Sequence, residues 1–140
     1  MNYYKLQYTD SMPAAFGGQT RGPVIKIRPK YKGDAGLLEH EKFHVREWWA
    51  WSCAVALAAI AVALALGPMI GLPFLLWAPL AHQAVYRWSR RYRLWSEVRA
   101  YRIQLRQYGP STSAEFAVRA LADKYDLGIS REEARRLLGR

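Results

Sequence analysis

The sequence predicts a mainly α-helical single domain spanning residues 1–140. A short N-terminal β-strand or hairpin precedes a long apolar helical hairpin, which is set between two polar helices. Three observations carry this. His40 and His44 lie four residues apart in a stretch with no Pro and no Gly beyond Gly36, so they share one face of a helix. From Trp48 to Tyr86 there is no Asp, Glu, Lys or Arg, and Gly67-Pro68 divides that run in two. Residues 24–31 alternate apolar and basic for part of their length, as a strand does. A chain of 140 residues is the size of one domain.

The elements follow in chain order. Met1–Leu6 lacks the apolar stretch of a signal peptide. Gly17-Gly18 and Gly22-Pro23 make residues 1–22 read as turns, with Met12–Phe16 a loop. Val24–Tyr31 is the strand, and Pro29 confines it to a sheet edge or a strand end. A helix over 34–47 starts at Asp34, an N-cap after Gly33, and places Leu37, Leu38, Val45 and Trp48 at apolar spacing. No stop signal follows His44, so this helix continues into the apolar run. Residues 48–66 suffice for one crossing of a hydrocarbon core about 30 Å thick at about 1.5 Å per residue. The second arm to residue 81 is interrupted by Gly71, Pro73 and Pro79. Residues 82–108 read as one helix, stopped by Tyr108-Gly109-Pro110, with Trp88, Tyr92, Trp95 and Ile103 facing inward. In 111–140, Thr112–Glu115 and Ser130–Glu133 both fit the capping box, and the first of these helices runs to about residue 125. The pair reads as a helical cap rather than a DNA-reading unit.

Lys and Arg number 21 against 11 Asp and Glu, a net charge of +10. That excess suits an anionic partner. Its distribution favours a lipid bilayer. Lys42 and Arg46 precede the apolar run, Arg87, Arg90, Arg91 and Arg93 follow it, and Trp48, Trp49, Trp51, Trp77 and Trp88 sit at its edges. Membrane interfaces select such aromatic belts and positive flanks. The Arg side chains of 82–108 spread around that helix, and no base-reading module is evident, so nucleic acid is not an expected partner. The single Cys53 excludes a disulfide within the chain. The alternative to membrane insertion is a hairpin buried in a soluble core, in an oligomer or in an assembly such as a virion.

The chemistry centres on His40-Glu41-Lys42-Phe43-His44. His40 and His44 can offer two imidazole nitrogens to one metal ion, and Glu41 starts close enough round the helix to reach a water on it. This is the HExxH zinc-peptidase pattern. A catalytic zinc takes a third protein ligand. His82 and Glu97 are the candidates, and Glu97 is the one acid between Glu47 and Glu115.

Leu37-Leu38-x-His40-Glu41-x-x-His44-Val45 resembles the active-site helix of gluzincin-type zinc metallopeptidases, and Glu97-x-x-Ala100 resembles their downstream Glu helix. The long apolar insertion between the two motifs is similar to the HtpX and CAAX-prenyl-protease group of membrane zinc peptidases. Short phage and prophage proteins of unknown role look similar too. The resemblance spans roughly residues 24–105. It implies a minimal zincin-like helical domain of bacterial or phage origin, with Zn²⁺ held by His40, His44 and Glu97. Glu41 is then the catalytic base, the substrate is a polypeptide, and the strand before the helix pairs with that substrate. The membrane group usually has Asp four residues after the ligand Glu. Tyr101 stands there, which leaves a ligand His without that orienting partner. Tyr101 and His82 are therefore candidates for an oxyanion donor or a supporting role behind the ligands.

If Glu97 joins the two His, both ends of the apolar region must meet. The hairpin then crosses twice, or dips in and out, with the active site on the cytoplasmic face. Glu41-x-x-His44 also matches a di-iron ligand pair, but no second such pair exists. A non-catalytic zincin-like membrane or virion structural protein is the alternative to an enzyme.

Overall fold

The computed structural model describes residues 2–139. The first elements are strands β1 (Lys5–Tyr8), β2 (Gly18–Arg21) and β3 (Val24–Ile27). They form a sheet of order β1-β3-β2, with β1 parallel and β2 antiparallel to β3. Two strands thus lie in the region expected to be turns. Neither carries much apolar alternation of its own. Each pairs onto β3, whose Ile25 and Ile27 are buried against Val45. Pro29 ends β3 as expected and opens a 3₁₀ turn over Pro29–Tyr31. The expected edge strand is nevertheless the central one, because both its sides are paired. The edge beside the helix is β2. The Arg28 guanidinium donates to the carbonyls of Phe16, Met12 and Pro13 and to Asp10, pinning the β1–β2 loop.

Helix α1 runs unbroken over Ala35–Leu66, capped by Asp34, which accepts from Leu37 N at 2.8 Å. Its first turns bury His40, Glu41, His44, Val45, Glu47 and Trp48, whereas beyond Trp51 only Ser52 and Ala59 are buried. After Gly67 the chain returns through α2 (Pro68–Gly71), a 3₁₀ stretch over Leu72–Leu80, and α3 (Ala81–Trp88). Pro73 and Pro79 withhold the amide donors that a regular return helix would need. The expected hairpin is therefore present, with one regular arm and one irregular arm. Trp48 Nε1 ties its base by donating to Pro79 O at 2.8 Å. Its outer surface is apolar: Leu64, Met69 and Leu76 are 84%, 89% and 78% exposed.

The single helix expected over 82–108 is broken at Ser89. Ser89 caps α4 (Arg90–Tyr108), accepting from Tyr92 N at 3.2 Å. The break turns α4 antiparallel to the first half of α1: Trp51 meets Tyr92, His44 meets Ser96, and Asp34 meets Tyr108. Trp88 and Trp95 face outward rather than inward, and Arg99 stacks on Trp95 at 4.5 Å. Tyr92 does point in, toward Glu47. Helices α5 (Glu115–Asp123) and α6 (Arg131–Leu138) form the expected cap, burying Val118, Leu121, Leu127 and Leu138 on Val98, Tyr101 and Leu105 of α4. Ser130 caps α6 as its motif predicts, accepting from Glu133 N. Thr112 does not cap α5. Its hydroxyl donates to Tyr108 O, and Ser113 accepts from Glu115 N instead.

Candidate metal centre

The antiparallel contact of α1 and α4 brings together the three residues expected to bind metal. His40 Nε2 and His44 Nε2 lie 3.3 Å apart. Glu97 Oε2 is 3.7 Å from His40 Nε2, and Glu97 Oε1 is 3.5 Å from His44 Nε2. Donors held tetrahedrally at about 2.0–2.1 Å from one ion stand roughly 3.3 Å apart. The spacing therefore matches a shared ion, and buried His40, His44 and Glu97 lie close enough to hold one. Glu97 is 2% exposed, and its Oε2 has no hydrogen-bond partner among the described residues. Burying an unpartnered carboxylate oxygen is costly unless a cation neutralises it. Glu97 Oε1 accepts from the Tyr86 hydroxyl at 2.5 Å.

The groups behind the ligands differ from those expected. Glu47 Oε2 lies 3.1 Å from His44 Nδ1. The same carboxylate accepts from Ser96 Oγ at 2.5 Å and from the Tyr92 hydroxyl at 3.0 Å. Carboxylates of this kind fix the orientation and tautomer of a ligating imidazole. Glu47 thus supplies for His44 the support that Asp at position 101 would have offered. Its signal in the sequence is spacing, three residues after His44 on the same helix face. Tyr101 stands edge-on to the His40 ring, with centroids 4.5 Å apart, and its hydroxyl meets Tyr125 Oη. It holds the ring by packing and does not line the cleft shared by His44, Glu41 and Glu97. His82 Nε2 is 3.9 Å from Glu47 Oε2, and its ring borders the cleft beside Tyr86.

Glu41 faces β2. Its Oε2 accepts from Thr20 Oγ1 at 2.7 Å. A Cβ on Gly18 would stand 2.6 Å from Glu41 Oε1, so this strand needs glycine to lie so close. A cleft of about 310 Å³ opens here, lined by Thr20, Glu41, His44, His82, Tyr86 and Glu97 among others. Arg28 N donates to Gly17 O, so antiparallel alternation turns the backbone groups of Gly18 and Thr20 away from β3 and toward the open edge.

The cluster is electrostatically tense. Burial pushes the Glu41 carboxyl up to about 7, against the hydrogen bond from Thr20. Burial, reinforced by His44, holds His40 well below the usual imidazole range. Burial also opposes the charge on His44, but Glu97, Glu47 and Glu41 outweigh it and raise His44 to about 9. Burial works to raise the Glu47 carboxyl, but hydrogen bonds from His44 and Ser96, with the His82 ring nearby, draw it down to about 2.

In the metal-free fold, charged His44 therefore contributes stability in full below its ordinary value of 6.5, and that contribution is lost as pH rises through about 9. A metal must displace the same proton. Metal affinity is accordingly expected to climb about tenfold per pH unit from 7 toward 9 in a chelator-competition titration. A flat profile over that range would contradict this electrostatic picture. The chain matches no protein-family model, no curated protein and no solved structure with which it was compared, so the case for a metal centre stands on this geometry.

Proposed function

We propose that the chain is a zinc-dependent metallopeptidase held at a membrane by its apolar hairpin. The observation that carries this reading is the convergence of three buried ligands beside Glu41 in a cleft bordered by an open strand edge. Bound zinc supplies Lewis acidity and activates water near neutral pH. Glu41, raised toward 7, takes the proton of the attacking water and passes it to the leaving amine. The outward backbone groups of Gly18 and Thr20 pair with an extended polypeptide, adding it to the sheet as a further strand. His82 borders the cleft and is the donor available to a developing oxyanion, whereas the Tyr86 hydroxyl beside it already donates to Glu97. The test is hydrolysis of an unfolded polypeptide by the detergent-solubilised protein. Activity should vanish with a chelator and return with Zn²⁺. Cleavage that survives metal removal would refute the mechanism.

The hairpin supports the membrane part of the proposal. One helix, α1, is long and apolar enough to span a membrane, and only 11% of its most apolar window is buried. Exposed Arg46, Trp49, Arg87, Trp88 and Arg91 ring the base of the hairpin, where anionic headgroups would meet them. The natural substrate is then a membrane-associated or misfolded polypeptide. The protein should float with phospholipid vesicles, more completely when they contain anionic lipid. Leu64→Lys together with Leu76→Lys should weaken that association. Wild type that stays dispersed without lipid or detergent would rule out the anchor.

A further inference from the structure

Besides Glu97 Oε2 and His82 Nε2, two further buried polar atoms near the metal centre lack hydrogen-bond partners among the described residues: His40 Nδ1 and Gln104 Oε1. Both residues line a second hollow of about 360 Å³, behind Glu41 on the side of the helical cap. One atom is a ring nitrogen that can carry a proton, and the other is an amide oxygen that can only accept. Each is what the other lacks. We infer that Gln104 is a positioning residue of the metal centre, accepting the Nδ1–H of His40 and held in place by Tyr108 and Asp34. The inference rests on the reading of His40 as a metal ligand.

The amide is oriented from its other end. Gln104 Nε2 donates to the Tyr108 hydroxyl at 2.9 Å, which leaves Oε1 as the end free for His40. The Tyr108 hydroxyl in turn faces both Asp34 oxygens, at 2.7 and 2.8 Å. Asp34 is itself fixed as the cap of α1, through Leu37 N. Gly36 makes the approach possible, since a Cβ there would overlap the Tyr108 ring. The relay therefore leaves α1 at its cap, crosses α4 through Tyr108 and Gln104, and rejoins α1 at His40.

Metal ligation makes this pairing necessary. A neutral imidazole bound through Nε2 carries its proton on Nδ1, and a buried N–H needs an acceptor. His44 has Glu47 for this purpose, whereas His40 has the Tyr101 ring against it and shares its hollow with the unpartnered Gln104 Oε1. The two ligating His would then be supported unequally, one by a carboxylate and one by a neutral amide.

The experiment compares wild type, Gln104→Leu and Gln104→Glu by chelator-competition titration with Zn²⁺ and by the visible absorption spectrum of the Co²⁺ forms. Thermal melts of the metal-free proteins check that each variant folds. Gln104→Leu keeps the volume and removes the acceptor. It should weaken Zn²⁺ binding about 10–100-fold and change the Co²⁺ spectrum. Gln104→Glu restores an acceptor and should recover most of the affinity. Equal Zn²⁺ affinity in wild type and Gln104→Leu would overturn the inference, as would equal losses in both variants. Wild type that takes up no Zn²⁺ would overturn the metal reading along with it.

Discussion

Glu41→Gln should lower peptide hydrolysis by roughly 10²–10⁴-fold, the usual contribution of a positioned general base. Zinc should stay bound, because Glu41 contacts Thr20 and is not among the three residues that converge on the ion position. The amide keeps an oxygen to accept from Thr20 Oγ1, keeps the shape that fits against Gly18, and cannot take a proton from water. The variant should also be no less stable than wild type. Burial already penalises the charged form of Glu41, so a neutral isostere relieves a cost instead of adding one. Turnover and zinc content measured on the same preparation check both halves. A variant that remains active would remove Glu41 from the mechanism, and one that loses its zinc would make it a ligand.

Glu97→Ala should have the opposite signature. It deletes the single ligand contributed by α4, and zinc affinity should fall on the order of 10³-fold, about 4 kcal/mol. The metal-free fold should lose little. Glu97 is a buried carboxylate whose pKa burial raises, so in the metal-free fold it is held at a cost that charged His44 and the Tyr86 hydrogen bond offset only in part. Wild type should therefore melt at a higher temperature with zinc than without, by an increment that grows with free zinc, whereas Glu97→Ala should show little increment. Equal zinc-dependent shifts in the two proteins would place the ion elsewhere.

The reach of sequence reasoning into this molecule follows from what is local. The helical face shared by His40 and His44, the Asp34 cap, the Gly67-Pro68 reversal and the uncharged run each depend on a few neighbouring residues, and each is present in the structure. The meeting of Glu97 with the two His required a resemblance as well as spacing, and the geometry brings them together. What was missed is long-range. Lys5–Tyr8 and Gly18–Arg21 become strands because Val24–Ile27 offers them a partner, not because of their own pattern. Ser89 ends one helix and caps the next where α4 must dock on α1, and nothing in the flanking Arg-rich sequence marks that demand. Trp88 and Trp95 have the spacing of inward residues yet lie outside. Glu47 was in plain view three residues past His44, but its role depends on Ser96 and Tyr92, which lie on α4. Tyr101 stands where the resemblance expects Asp, and it is Glu47 and Tyr101 that hold the His44 and His40 rings.

The central claim is that His40, His44 and Glu97 hold one zinc ion, and elemental analysis of the wild-type protein tests it most directly. Purified without chelator and dialysed against metal-free buffer, the protein should retain close to one zinc per chain. A zinc content near zero, unrestored by adding Zn²⁺ at neutral pH, would contradict the account and leave a basic protein with an apolar hairpin and no catalytic centre.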